Sequence, residues 1–169
     1  MIVFKKIAAT GKYQDDRAIP DLISYICRPD KTPSRIIGGV YVDPANIAGS
    51  MVAVSEHFRK NSRVRLHHFI ISFEQDQSYH LDMLTQVAEA ICDLIGKEFQ
   101  IVYALHEDTE HPHFHFVFNA VSYVDGHKFH MGIGEYHSFV QCIEKILSAY
   151  CLYPLIPITY RPDPNDPNE

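Results

Sequence analysis

The sequence predicts an α+β sandwich, a mainly antiparallel sheet of about five strands with helices packed on one face. Three observations lead there. Arg65 to Glu74 and His113 to Tyr123 alternate side-chain character with the period of a strand. Phe99–His106 and His113–Tyr123 are separated by the short, polar Glu107–Pro112, as a hairpin-like connection requires. Tyr79 to Lys97 instead carries its apolar residues at helical spacing and closes near Gly96.

Taken in order, Ile2 to Ala9 is apolar and β-branched at its start and reads as the first strand. Gly11 to Arg17 is polar and reads as a loop, and Ile19 to Ile26 places Leu22, Ile23 and Ile26 at helical spacing. Pro29 ends that helix, and the turn-rich Arg28-Pro-Asp-Lys-Thr-Pro33 follows. Ile36 to Val42 is a second strand. Asp43-Pro44 resembles an N-cap with proline in the first turn, opening a helix from about Ala45 to Lys60. After the hairpin, Asp125-Gly126 makes a turn, Glu135 to Cys151 forms a last helix, and Leu155 to Tyr160 is an edge strand between prolines. One domain is expected over residues 1–160, with a proline-rich tail or the start of a linker over 161–169.

Composition narrows the classes. With 46% hydrophobic residues in 169, the chain can bury a core. Its longest apolar stretches, such as Ile101 to Leu105, are far too short to cross a bilayer. Met1 leads into Ile2-Val-Phe-Lys-Lys6 with no apolar segment and cleavage site behind it, so export is not expected. Cys27, Cys92, Cys142 and Cys151 sit singly, which indicates mostly buried thiols in a reducing cytosol and no disulfide framework or zinc ribbon. A net charge of −6 argues against a protein that binds nucleic acid through bulk charge. It leaves room for a local basic groove, and Arg59-Lys-Asn-Ser-Arg-Val-Arg65 is such a run.

Six of the eleven histidines fall between His106 and His130. Along the second hairpin strand, Phe114, Phe116 and Phe118 alternate with His113, His115, Val117 and Asn119. Side chains two apart share a face, so the phenylalanines face the core and His113 and His115 stand side by side opposite them. Two imidazoles so placed can reach one cation at the ~2.0–2.1 Å of a metal–nitrogen bond. His106 ends the preceding strand and becomes a third ligand if the strands pair. Three nitrogen ligands leave positions open, as in catalytic metal sites. Asp108 is expected to support the chemistry by accepting the far N–H of a ligand. His111 is either a turn residue or a supporting ligand.

The run His106-x-Asp108-x-x-His111-x-His113-x-His115-x-x-x-Asn119 resembles the third motif of mobilisation (MobP-like) relaxases, within the HUH endonuclease superfamily. In that family the first histidine and the His-x-His pair bind a divalent metal. Leu22-Ile-Ser-Tyr25-Ile-Cys-Arg28-Pro-Asp-Lys31-Thr32 resembles the first motif, whose tyrosine is the nucleophile. His68-Phe-Ile-Ile-Ser72-Phe73 resembles the second, which helps hold the DNA strand, and Asp125-Gly-His-Lys-Phe-His130 resembles the stretch after the third. The likeness covers about residues 20 to 130 and fades beyond them.

The resemblance implies a palm-like sandwich that nicks one strand of DNA at a specific site and transfers it through a 5′-phosphotyrosine. Tyr25 would be the nucleophile, and Asp108 would serve the catalytic centre. His106, His113 and His115 would hold Mg, Mn or Zn, with His111, Asn119 and His68 in support. Ser72, Arg28, Lys31, Thr32, Arg63 and Arg65 would contact DNA. The substrate implied is single-stranded DNA at an origin of transfer beside a hairpin, with an accessory relaxosome protein, in the bacterial cytoplasm. Rival readings remain open: a transposase or replication initiator using Tyr136 or Tyr150, a metal-stabilised DNA-binding module without catalysis, and a plain metal-dependent hydrolase.

Overall fold

A computed structural model describes residues 1–9, 11–74 and 79–160. The tail expected over 161–169 lies outside the described residues. Six strands form one sheet: β1 (Ile2–Ile7), β2 (Ile37–Val40), β3 (Leu66–Ser72), β4 (Phe99–His106), β5 (His113–Ser122) and β6 (Leu155–Tyr160). Their order is β2-β4-β5-β3-β1-β6, antiparallel at every pairing except β1 with β6. The α+β class therefore holds, and the Leu155–Tyr160 segment is an edge strand as expected.

The helices are α1 (Ala18–Ile26), α2 (Ile47–His57), α3 (Leu81–Cys92) and α4 (Ile133–Ala149). They cover both faces of the sheet rather than one. On the first face, Ile19, Ile23 and Ile26 of α1 and Met51 of α2 pack on Ile7, Leu66, Val102, Ala104 and Val117. On the second, Leu84, Val87 and Ile91 of α3 and Val140, Ile143 and Leu147 of α4 pack on Phe69, Phe114, Phe116 and Phe118. This double cover is why all eight residues of β4 are buried, on an almost unbroken apolar run. The aromatic row of β5 faces the second layer as expected, so its histidines face the first.

Local expectations shift at the ends of elements. The side chain of Asn46, not Asp43, caps α2, accepting from the Gly49 N–H at 3.0 Å. Asp43 instead closes a tight turn by accepting from the Ala45 N–H. Within the expected loop at Gly11–Arg17, residues Gly11–Tyr13 wind into a short 3-10 turn. The Arg65 N–H bonds the Tyr13 carbonyl at 2.9 Å, and Tyr13 is buried beside the start of β3. The Asp125-Gly126 turn forms with Gly126 at φ +76°, a conformation glycine adopts without penalty.

Candidate metal centre and active site

The strand register fixes the site. Ser72, His113 and His106 stand opposite one another across β3, β5 and β4, and Ile70, His115 and Ala104 form the next row. Lys5 of β1 extends that second row. All point to the face that α1 covers. The ligand nitrogens of His106, His113 and His115 lie within 4.8 Å of one another, the cluster of such groups among the described residues placed to share an ion.

The outer nitrogens of the three rings show how each is held. His106 Nε2 lies 2.9 Å from the Ile26 carbonyl, an acceptor left without a helical partner at the end of α1. His113 Nδ1 lies 3.0 Å from the His111 carbonyl. His115 Nδ1 lies 2.8 Å from His68 Nε2, and His68 Nδ1 lies 3.0 Å from Tyr13 Oη. Donation outward from each ring leaves His106 Nδ1, His113 Nε2 and His115 Nε2 as inward lone pairs. His106 Nδ1 and His115 Nε2 are buried with no hydrogen-bond partner. Two orphaned acceptors turned toward a third are what a bound cation would satisfy, so the residues present fit a metal.

Electrostatics agree. Burial, above all, lowers the pKa of His106, His113 and His115, so all three are neutral ligands near neutral pH. Burial pushes His68 down to about 3, so it too is neutral.

Tyr25 lies over this cluster. Its ring meets those of His106 at 5.6 Å and His115 at 5.8 Å, both edge-on, and it is 39% exposed. The Lys31 Nζ lies 5.3 Å from the Tyr25 ring centroid and 2.7 Å from Asp108 Oδ2. That bond holds the Lys31 ammonium above its ordinary pKa. Burial pushes the Asp108 carboxyl up, but the Lys31 bond and charge, with a backbone hydrogen bond and His106, together leave the carboxyl below its usual range. The Glu107 N–H to the Lys31 carbonyl, and the Ser34 N–H to the Glu107 carboxylate, complete the seam between the α1 turn and the hairpin. This seam holds Tyr25 over the triad.

Several expected roles change. Asp108 bonds no ligand histidine; the carbonyls of Ile26 and His111 and the ring of His68 take that part, because the Asp108 carboxylate is engaged with Lys31. His111 contributes its carbonyl while its ring is exposed. Asn119 is fully buried away from the triad, donating to the Met51 carbonyl and Gln100 Oε1 and accepting from Ser55 Oγ and the Val121 N–H. It docks α2 on the sheet. Thr32 is 1% exposed and donates to the Arg28 carbonyl, so it shapes the turn and cannot face a DNA strand. Arg28 pairs with Asp30 at the surface. Arg63 is exposed and Arg65 pairs with Asp16, but both precede β3, roughly 20 Å from the Ser72 end. Tyr136 and Tyr150 pack on the opposite face of the sheet from the histidines.

Sequence reasoning missed Tyr13, the Ile26 carbonyl and Lys5. None carries a local motif, since each reaches the site through the strand order or the path of the chain.

A histidine triad that could hold a metal ion lies on the central strands of an antiparallel sheet, with a tyrosine laid over it from a neighbouring helix, an arrangement of the kind that HUH nucleases have. The family model of the MobA/VirD2-like relaxase nuclease domain matches residues 25–152, and the chain belongs to that family. It is also 26% identical over 138 residues to the group II intron-interrupted relaxase LtrB of Lactococcus lactis subsp. cremoris strain MG1363, covering 66% of this chain and 24% of that protein. A second LtrB sequence from Lactococcus lactis subsp. cremoris matches equally. The chain thus spans about a quarter of the length of these relatives. No solved structure matches. Among the described residues, no helix is long and apolar enough to cross a membrane.

Proposed function

We propose that this chain is the catalytic domain of a relaxase that nicks one strand of DNA at an origin of transfer, starting the mobilisation of a plasmid or integrative element. The observation that carries the reading is the Tyr25 ring standing 5.6 and 5.8 Å from two rings of the histidine triad. His106, His113 and His115 would hold Mg, Mn or Zn, and the bound ion would supply Lewis acidity toward a phosphate oxygen. Tyr25 Oη attacks the scissile phosphorus, the bond to the 3′-oxygen breaks, and a 5′-phosphotyrosine forms. The phenol gives up its proton and the leaving 3′-oxygen takes one up, so one phosphodiester is exchanged for another. Resealing then needs no ATP.

A tyrosine phenol ionises only near pH ~10 and is a weak nucleophile until assisted. The ammonium of Lys31 beside the Tyr25 ring is sited to meet the charge of the phosphate under attack, and the Asp108 carboxylate keeps that ammonium in place. Ser72, in register with His113, and Lys5, one row away, are sited to meet the phosphates flanking the nick. Arg63 and Arg65, at the far end of β3, would meet more distant backbone, such as that of an adjacent hairpin. An accessory relaxosome protein and a bacterial cytoplasmic setting complete the proposal.

The test is a denaturing gel of the protein with labelled single-stranded oligonucleotides from the origin of its own element, with Mn²⁺ or Mg²⁺. A protein–DNA band that disappears in Tyr25→Phe and with EDTA is expected. Its loss in Tyr136→Phe or Tyr150→Phe instead would shift the protein to a transposase or initiator chemistry. Cleavage without an adduct would make it a hydrolase, and binding without cleavage a DNA-binding module.

A further inference from the structure

The three histidines are not supported alike. His106 and His113 stand where the hairpin opens and α1 ends, and backbone carbonyls outside the ladder can take their outer N–H groups. His115 lies between Ile70 of β3 and Ala104 of β4, where carbonyls serve the ladder. Its outer nitrogen meets a side chain, His68, which in turn meets Tyr13. Both partners are buried, His68 at 7% and Tyr13 at 4% exposure.

A chain of two imidazoles and a phenol can carry its protons in two directions. In one, His115 Nδ1–H donates to His68 Nε2 and His68 Nδ1–H donates to Tyr13 Oη, which leaves His115 Nε2 bare. In the other, Tyr13 O–H donates to His68 Nδ1, His68 Nε2–H donates to His115 Nδ1, and His115 Nε2 carries the proton. The number of protons is the same in both. Only the first offers His115 as a ligand.

We propose that His68 and Tyr13 are positioning residues for the metal, holding His115 in the tautomer and orientation that turn its Nε2 lone pair toward the ion. The inference rests on the reading of the triad as a metal site. His68 supplies the acceptor that no carbonyl can provide at the centre of the sheet. Tyr13 gives the outward His68 N–H somewhere to go. Without the phenol oxygen, the first arrangement buries an unpaired N–H, and the site drifts toward the arrangement that cannot bind.

The experiment is a calorimetric titration of Zn²⁺ or Mn²⁺ into the whole chain without DNA, for the wild type and four variants. His113→Ala is expected to abolish binding at the triad. His68→Leu is expected to weaken it by about 10- to 100-fold, and Tyr13→Phe by about 10-fold. His68→Gln keeps an amide oxygen for His115 and an amide N–H for Tyr13, and should recover binding to within about 10-fold of the wild type. A hydrogen-bond coupling between His115 Nδ1 and His68 Nε2 in the NMR spectrum of the zinc-loaded wild type is the accompanying signature. Should His68→Leu not fold, Tyr13→Phe, His68→Gln and the coupling decide the matter. Wild-type affinity in Tyr13→Phe and His68→Leu, with binding lost in His113→Ala, would overturn the positioning role and leave the metal site standing. Unchanged affinity in His113→Ala would instead overturn the metal reading itself.

Discussion

His67 gives the folded protein a dependence on pH that can be worked out in advance. Its ring lies between Phe118 at 5.1 Å and Phe129 at 4.9 Å, on the sheet face away from the triad. Burial first, then the nearby ammonium groups of Lys6 and Lys128, pushes its pKa from 6.5 down to about 4. Between those values the unfolded chain binds a proton that the folded chain refuses, so stability rises with pH and is lost as pH falls through that window. Each pH unit is worth about 1.4 kcal/mol, so this one ring contributes about 3 kcal/mol across the window, an order-of-magnitude figure. Above 6.5 both states are neutral and the contribution is flat. The assay is urea unfolding followed by circular dichroism, with EDTA present, at about pH 7 and about pH 5. His67→Phe keeps the aromatic packing and removes the titration. It should lose about 2 kcal/mol less than the wild type over that span, which moves the urea midpoint by about 1 M. Parallel loss in the two proteins would refute the argument.

Three other outcomes follow from contacts already described. Asn119→Ala removes four buried hydrogen bonds and should cost about 3 kcal/mol by thermal unfolding while metal affinity stays within about 2-fold, since Asn119 docks α2 and touches no histidine of the triad. Lys31→Met should lower adduct formation by about 100-fold on the denaturing gel with the fold intact by circular dichroism, because the reacting phosphate loses a neighbouring cation. Metal at about 100 times its dissociation constant should stabilise the wild type by about 2.7 kcal/mol in urea unfolding and His113→Ala not at all.

The elements legible in the sequence are those whose burial is one-sided or whose ends carry local chemistry. The β5 alternation placed Phe114, Phe116 and Phe118 against one layer and His113 and His115 against the other, which the structure bears out. The double helical cover was legible only indirectly. Ile101-Val-Tyr-Ala-Leu105 is a continuous apolar run, the mark of a strand buried on both faces, whereas one-sided cover predicts alternation. Asn46 is hard to tell from Asp43-Pro44 as a cap, since both are good local signals and the choice depends on where α2 meets the sheet. Support for the triad was least legible. Asp108 looked suited to orient a ligand by proximity in sequence, but the residues that do so come from α1, from β3 and from the turn at Tyr13. Strand order brings these together, and no spacing within one segment encodes it.

The same distinction between local and total would let an acidic chain handle DNA as proposed. The net charge of −6 is a sum over the whole surface, and a phosphate at the triad responds to what lies within about a Debye length, roughly 10 Å. Lys5, Lys12 and Lys31 each act on the buried histidines of the site, and Lys31 is paired with the Asp108 carboxylate. These cations would meet a phosphate brought to the triad. Lys5 provides the test, because it stands in the His115 row of the sheet. Lys5→Gln should leave metal affinity unchanged and reduce the slope of log affinity against log salt for single-stranded DNA by about 0.7, the value of one phosphate contact. An unchanged slope would mean that the strand does not pass over β1, and the path of the DNA would have to be drawn toward α1 and Arg28 instead.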